Sequence, residues 1–550
     1  MSFRNRYERL RDPKDLETIH THYHDSFKLP SMHPETSWDQ ALSWAYFAES
    51  FQSSDCIFAF QAAFRLLPEI LWAGHSIPVH HDAIRRLNIS DATSIAARTC
   101  INLSHLHDAV EMLEQGLATI FQQMLQLKTD VDGLPPHQAK DFLNLSMQLY
   151  SGTFINSPIS IVEDRKKLLE DIRNQPGFES FLRPKSYNIL CHASERGPVI
   201  TLTSHKDHCD AIILLNPSSE PVHVPLPIVT LELLKSQRDM LKDLLGRCNA
   251  RSRGQSSSSR LFGQREDFSK KSTQECFQDM LDWLWTHVVG PVYQVLKSHG
   301  IFSGRLWWLP TGAFAGLPLH ASSPTNEFIH SYTATLGSLL DAYSKKSSSI
   351  APKLVVVGVT HTDFTRGKFL NGVEPEVKKI MSIAKDSDVR CLLGEQATVD
   401  AVKQQLQDCS WVHLACHGYQ NLQYPTQSHL QLYGGDLELG TILRMPLPNA
   451  QFVFLAACQT AMGDAQLVNE SFHLGGGFIT AGFQSAIGTI WSMNDSDGPT
   501  VAEIVYSHLF REGQHPKHTK AAEALHLAVK ELKNRKVPYE RWMPFIHIGV

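Results

Sequence analysis

The sequence predicts an α-helical region followed by an α/β region built on a mainly parallel sheet. Three observations predict it. Through the first ~180 residues apolar side chains recur every three or four positions, the period of a helix with one buried face. From about Tyr187 the pattern changes to short apolar or β-branched runs between turn residues, which read as strands. From Arg305 onward such runs alternate with helical stretches, and apolar strands alternating with helices imply a sheet covered on both faces.

The helical region is expected over residues 1–183. Ile57, Phe60, Phe64, Leu67 and Leu71 line one helix face, and Leu106, Val110, Leu113, Leu117, Ile120 and Met124 line another. SWAYFAES around Trp44 and AFQAAFRLLP around Ala62 look like the two helices of a degenerate tetratricopeptide-type hairpin, without a clean 34-residue repeat. A packed helical domain and a helical platform for a partner are both open readings.

An α/β segment is expected at 184–300. YNIL, PVITLTS and CDAIILL read as strands, and stretches near 228–246 and 273–298 as helices. Between the helices, the polar, basic and serine-rich stretch at 251–273 reads as a disordered loop. The third segment, 301–550, carries strands RLWWLP, LVVVGV, VRCLL, SWVHLAC, FVFLAAC and AIGTIW, with helices near 373–385, 398–407, 470–482, 498–511 and 517–534. A chain of 550 residues has room for several such parts.

Composition narrows the function. The net charge of −5 lacks the basic excess of a nucleic-acid or anionic-membrane binder. No apolar run reaches the ~18–20 residues of a membrane span, and the charged N-terminus has no signal-peptide core. Ten cysteines, never as CxxC, fit neither a disulfide framework nor a zinc site and suggest a cytoplasmic protein with reduced thiols. No cofactor or metal is expected. With 28 histidines present, context must decide which one matters.

Ligands of parallel sheets gather beyond the carboxyl ends of the strands. Two strands end there in a reactive side chain. SWVHLACHGYQ places His417 and Gly418 after one run, and QFVFLAACQTAMGD places Cys458 after another. If these strands are neighbours, imidazole and thiol leave the same edge. A cysteine nucleophile needs that neighbourhood, because thiolate is the reactive form and imidazole can protonate the leaving amine. The Gly418 and Cys458 amides are the candidate oxyanion donors.

These segments resemble a family. HLACHG and FLAACQTAMGD look like the His and Cys motifs of the CHAT domain, the caspase-like module often found behind tetratricopeptide repeats. RLWWLPTGAFAGLPLHAS, SYTATLGSLL, GGGFITAGFQSAIGTIWSMND and WMPFIHIG are similar to stretches of fungal CHAT proteins, as are LEQGLATIFQQMLQL, IRNQPGFESFL and RGPVITLTSHKDHCDAIILL upstream. The resemblance implies a caspase-like sheet at the C-terminus, a degenerate caspase-like half near 185–300, Cys458 as peptidase nucleophile and His417 as its acid–base partner. It departs from the pattern at Gln459, where relatives commonly carry Glu, and at Gly116-Leu117, where they often carry Gly-Arg.

The implied activity is that of a cysteine endopeptidase acting on a protein or peptide, with a regulator as candidate partner of the helical region. A catalytically silent CHAT scaffold and a Cys-dependent acyl transferase or hydrolase are the alternatives. Asp464, Glu470 and Asp495 are candidate pocket carboxylates for a basic substrate side chain. Each has a plain structural role open to it as well: Glu470 at a helix start and Asp495 in a turn. Gly475, Gly476 and Gly477 match no phosphate-loop pattern and suggest close helix packing. His20, His22 and His24 fall in a helical context where alternate residues diverge, and His80-His81-Asp82 reads as a turn. His413 is expected to face the covering helices as a core residue, Cys416 to be a buried small hydrophobe, and Trp307 and Trp308 to be buried on opposite faces.

Overall fold

The computed structural model describes residue 7 and residues 12–26, 34–71, 86–117, 133–151, 158–248, 271–345, 351–361, 369–421, 424–457, 474–511 and 515–550. The serine-rich stretch, apart from residues 271–273, lies outside the described residues, as do Ile120, Met124 and His80-His81-Asp82. Two units emerge, Met1–Tyr187 and Asn188–Val550.

The first unit is helical: α1 (Pro13–Ser26), α2 (Pro34–Glu49), α3 (Asp55–Leu71), α4 (Ile89–Asn102), α5 (Leu106–Gly116), α6 (Pro136–Ser151) and α7 (Pro158–Arg173). Helices α2 and α3 form an antiparallel pair. Trp38 meets Phe64 and Trp44 meets Phe58 edge-to-face, so early residues of one helix oppose late residues of the other. Ala45, Ala48, Ala59 and Ala63 are fully buried, and their small side chains let the backbones approach. The expected α3 face is buried at Ile57, Phe60, Phe64 and Leu67, and the α5 face at Val110 and Leu113. His20 is on α1, where its Nδ1 accepts from the Trp44 indole at 2.8 Å.

One expected strand is a helix. Tyr187–Leu190, the YNIL run, forms one helical turn followed by a tighter turn over Cys191–Ser194. Four apolar residues alone do not distinguish the periods. Burial here is helical, with Leu190 buried and Ile189 exposed.

The second unit is one eleven-stranded sheet with a small three-stranded sheet beside it. The strands are β1 (Val199–Thr203), β2 (Cys209–Leu214), β3 (Val222–Leu226), β4 (Gly304–Pro310), β5 (Phe328–Tyr332), β6 (Leu354–Gly358), β7 (Val389–Leu393), β8 (Trp411–Ala415), β9 (His417–Tyr419), β10 (His429–Leu432), β11 (Gly435–Glu438), β12 (Phe452–Leu455), β13 (Ser485–Thr489) and β14 (Phe545–Gly549). The large sheet runs β3-β2-β1-β4-β5-β14-β13-β12-β8-β6-β7. Thus strands from 199–226 and strands from 304 onward share one sheet, joined by the parallel pairing of β1 with β4.

The sheet contains two parallel blocks, with β2 and β3 added antiparallel beyond β1. β1, β4, β5 and β14 run one way. β13, β12, β8, β6 and β7 form the other block. Antiparallel pairing of β13 with β14 makes the blocks point in opposite directions. β6, β8, β12 and β13 are buried at every position, so both faces are covered. Trp307 and Trp308 are both fully buried, and their indoles donate to different partners, Gly549 O and His330 Nδ1.

The helices are α8 (Leu231–Arg247), α9 (Thr273–Leu284), α10 (Gly290–Ser298), α11 (Leu336–Ser344), α12 (Val373–Ile383), α13 (Val399–Asp408), α14 (Leu439–Arg444), α15 (Leu474–Ala481), α16 (Gly498–Leu509) and α17 (Ala521–Asn534). A π turn, Trp285–Val289, joins α9 to α10. Pro291 explains it: proline has no N–H for His287 and its ring would strike that carbonyl, so the chain widens one turn earlier. The expected Gly-rich packing is present. A Cβ on Gly475 would lie 2.8 Å from Ile548 of β14, and one on Gly477 2.6 Å from Leu439 of α14.

Candidate active site

The site is built at one edge of the second block. β8 lies between β6 and β12, with Leu414 opposite Val357 on one side and Leu455 on the other. The chain leaves β8 through the fully buried Cys416 and enters β9 at His417, which is 7% exposed. β9 pairs antiparallel with β10, placing His417 opposite Gln431 and Gly418 opposite Leu430. This short ladder holds the imidazole-bearing segment against the sheet edge rather than leaving it in an open loop. From β12 the chain leaves through Ala456 and the buried Ala457.

Cys458, Asp464 and Glu470 lie outside the described residues. Register still relates the two strand ends. Leu414 and Leu455 are partners, His417 follows the first by three residues, and Cys458 follows the second by three. The neighbour relation between the strands is therefore met, and the parallel β8 and β12 end at the same edge of the sheet.

Asp495 follows β13 at the same edge. Its Oδ2 accepts the Gly372 N–H at 2.7 Å, directly before α12. A carboxylate there complements the positive end of the helix. Asp497, two residues on, forks with Arg541 at 2.6 and 2.8 Å. The loop after β13 is thus pinned at two points to other elements.

Two side chains at this edge were not singled out from sequence. His361 follows β6 by three residues and stacks on Phe369, ring centroids 4.6 Å apart. The rule that singled out His417, a strand end followed by an imidazole, would have found His361 in LVVVGVTH as well. Glu376 of α12 is the other. It is 3% exposed, and its Oε1 lies 3.2 Å from Nε2 of the fully buried His413. Tyr506 of α16 places its hydroxyl 3.3 Å from Nδ1 of that ring. Burial and the Glu376 charge push the Tyr506 hydroxyl well above its ordinary value. His413 therefore faces the helix layer, as its strand position implied, and ties β8 to α12 and α16.

A family model for the CHAT domain matches residues 278–550. Among solved structures, the chain is similar to separase in a Saccharomyces cerevisiae separase–securin complex: 12% identity, TM-score 0.48, 90% of this chain and 38% of that one. It is also similar to a chain of the Porphyromonas gingivalis RgpB pro- and mature-domain complex: 10% identity, TM-score 0.34, 50% of this chain and 76% of that one. The chain thus spans 38% of the separase chain's length. No curated protein matches the sequence.

Proposed function

The chain is a CHAT-domain protein, with the domain at residues 278–550, and from that premise we propose that it is a caspase-like cysteine endopeptidase using His417 and Cys458. The observation that carries the proposal is the in-register pairing of β8 with β12, three residues before each of these side chains. Imidazole at His417 takes the Cys458 thiol proton, and the thiolate sulfur attacks the scissile carbonyl carbon. The carbonyl oxygen becomes an oxyanion held by the Gly418 and Cys458 amides. As the tetrahedral intermediate collapses, imidazolium returns its proton to the departing amine, leaving a thioester. Water, deprotonated by the same imidazole, then hydrolyses that thioester to the acid and restores the thiol. No step needs a redox partner.

Asp464, Glu470 and Asp495 are the candidates for pairing with a basic substrate side chain. Of these, Asp495 has a helix-capping bond that a guest cation would have to share. The helical unit is proposed as a tetratricopeptide-like platform for a regulator or substrate, and the strands before residue 300 as the degenerate caspase-like half. Among the described residues no helix is long and apolar enough to cross a membrane.

The test is covalent labelling by an acyloxymethyl-ketone peptide probe in wild type, Cys458→Ala and His417→Ala. Labelling is expected in wild type, absent in Cys458→Ala and reduced at least about a hundredfold in rate in His417→Ala. Equal labelling of all three would exclude the dyad. Absence of labelling in all three, with a basic and an acidic probe alike, would favour a silent scaffold.

A further inference from the structure

A second site lies on the other parallel block, on the face covered by α17. Between α17, β5 and β14 is a recess of about 50 Å³ whose walls include Phe328, His330, His526, Lys530, Lys533 and Trp542. His526, Lys530 and Lys533 are spaced by four and three residues, so one face of α17 presents all three. No carboxylate among the described residues lines the recess. Among the described residues, the His526 ring, the Lys530 ammonium and the Lys533 ammonium have no hydrogen bond or ion pair; Lys533 has only the Trp542 ring face, 4.1 Å away. The carboxylates of α17 have other partners: Glu523 is engaged by Lys520 at 2.8 Å and Glu531 by Arg535 at 2.8 Å.

The recess adjoins a larger open groove of about 590 Å³, with Lys533 and Trp542 in both walls. Trp285, Pro324, Pro538 and Tyr539 give the groove apolar surface, and Lys536 adds another cation. Among the described residues its one lining carboxylate, Asp282, accepts from Gln278 at 2.7 Å.

Size decides between kinds of ligand. A drug-sized molecule needs a pocket of roughly 300–1,000 Å³. The recess is far smaller and takes one side-chain-sized group, while the adjoining groove, at about 590 Å³, has room for the chain that carries it. Charge decides which group. His526 and Lys533 are half-buried and Lys530 is exposed at the rim. Among the described residues the two ammonium groups have no carboxylate partner, and a carboxylate supplies one through charge-assisted hydrogen bonds. Burial and the two lysines lower His526 against the opposing charge of Glu523, and burial lowers Lys533.

We propose that the recess and groove formed by α9, α17 and β5 bind an acidic peptide segment, with one carboxylate side chain seated between His526, Lys530 and Lys533 and apolar side chains on Trp285 and Tyr539. The site is separate from the candidate dyad and does not depend on peptidase activity.

The experiment uses the full chain carrying Cys458→Ala, so that no probe is cleaved. Fluorescence anisotropy is measured with a labelled peptide alternating glutamate with leucine or phenylalanine, and with its glutamine counterpart. The glutamate peptide is expected to bind at least about tenfold tighter, and less so at high salt. Lys530→Glu, at an exposed position, is expected to weaken it about tenfold with the thermal midpoint unchanged, and Lys533→Gln to weaken it further. Equal binding of the two peptides would overturn the proposal, as would full affinity in folded Lys530→Glu. Displacement of the peptide by millimolar inorganic phosphate would replace it with a free-anion site.

Discussion

Thr93 and Gly116 show how far a single hydrogen atom decides the packing of the helical unit. A Cβ at Gly116 would lie 1.9 Å from the Thr93 hydroxyl and 2.6 Å from its methyl, both in a fully buried side chain. The hydroxyl donates to Ile89 O at 2.7 Å, so it cannot swing aside without itself being left buried and short of a partner. Alanine normally favours a helix over glycine by roughly 1 kcal/mol. Here overpacking opposes it, and Gly116→Ala is expected to destabilise the helical unit by about 1–3 kcal/mol net. A chemical-denaturation series followed by helical circular dichroism checks this; a variant as stable as wild type would mean that α4 and α5 separate freely. The sequence marked Gly116-Leu117 as a departure from relatives, but the residue it must clear lies on another helix, twenty-three positions earlier, and no local pattern shows that.

Strands illustrate what local sequence can and cannot reveal. β6, β8, β12 and β13 of the second block are buried at every position, and the six runs read from sequence after residue 305 coincide with strands, the edge strand β7 being only partly covered. In the large sheet β3, β5 and β14 were not read, nor were β9, β10 and β11 of the small one. β3 contains Pro225, which is tolerated because β3 is an edge strand. β14 carries His547 in its middle, a polar residue that only a tertiary partner can justify. Strand direction was not legible either, since it depends on how long connections route the chain. The junction of the blocks is built from those unread residues. Arg305 can only donate, and its guanidinium lies 3.2 Å from His547 Nδ1, so that nitrogen is the acceptor and Nε2–H donates to Ser485 Oγ at 2.8 Å. Ser331 of β5 lies 3.0 Å from the same Nδ1, and Arg305 also donates to Gly549 O. One ring therefore links β5, β14 and β13 across the reversal. His547→Leu would leave buried hydroxyls and a guanidinium short of a partner, an expected cost of about 1–3 kcal/mol per group. Hydrogen exchange is the measure at this scale: amides of 485–489 and 545–549 should exchange faster in the variant, while 354–358 and 411–415 change little. A uniform rise across the sheet would show that the junction is not a separate weak point. The candidate site was more legible than the junction. His417 was singled out because a strand end and a following glycine are local signals, whereas Glu376 comes from a helix thirty-seven positions before His413 and had none.

Across the whole second unit, buried neutral histidines set how stability depends on pH. Burial lowers His320 to about 3 and His518 to about 4, with nearby Lys533 acting on the first and Arg196 and Arg305 on the second. His330 and His547 are lowered well below the ordinary value by burial, assisted by neighbouring positive groups. Each ring has a bond that requires a bare nitrogen or forbids a second proton: His330 Nδ1 accepts from Trp308, and His320 Nε2 donates to Met543 O while Nδ1 meets the Tyr332 hydroxyl. In the unfolded chain these rings take a proton near pH 6.5, and in the folded chain they do not until far lower. Unfolding therefore takes up protons throughout that window, so their contribution is fully present above about pH 6.5 and is lost as pH falls. At pH 5, about 1.5 units below the unfolded value, each ring has given up about 2 kcal/mol. His320 and His518 alone thus remove about 4 kcal/mol, a large part of the about 5–15 kcal/mol that holds a domain folded. Exposed carboxylates titrate lower and cannot produce a decline in this range. Denaturation midpoints taken from pH 7.5 to 5 should fall steadily below about pH 6.5, and substituting His320 by glutamine should flatten the slope by one ring's share even though it lowers stability at pH 7.5. A midpoint constant from pH 7.5 to 5 would mean that these rings are already protonated or solvated in the folded chain. It would also count against the bare-nitrogen bonds that assign their tautomers.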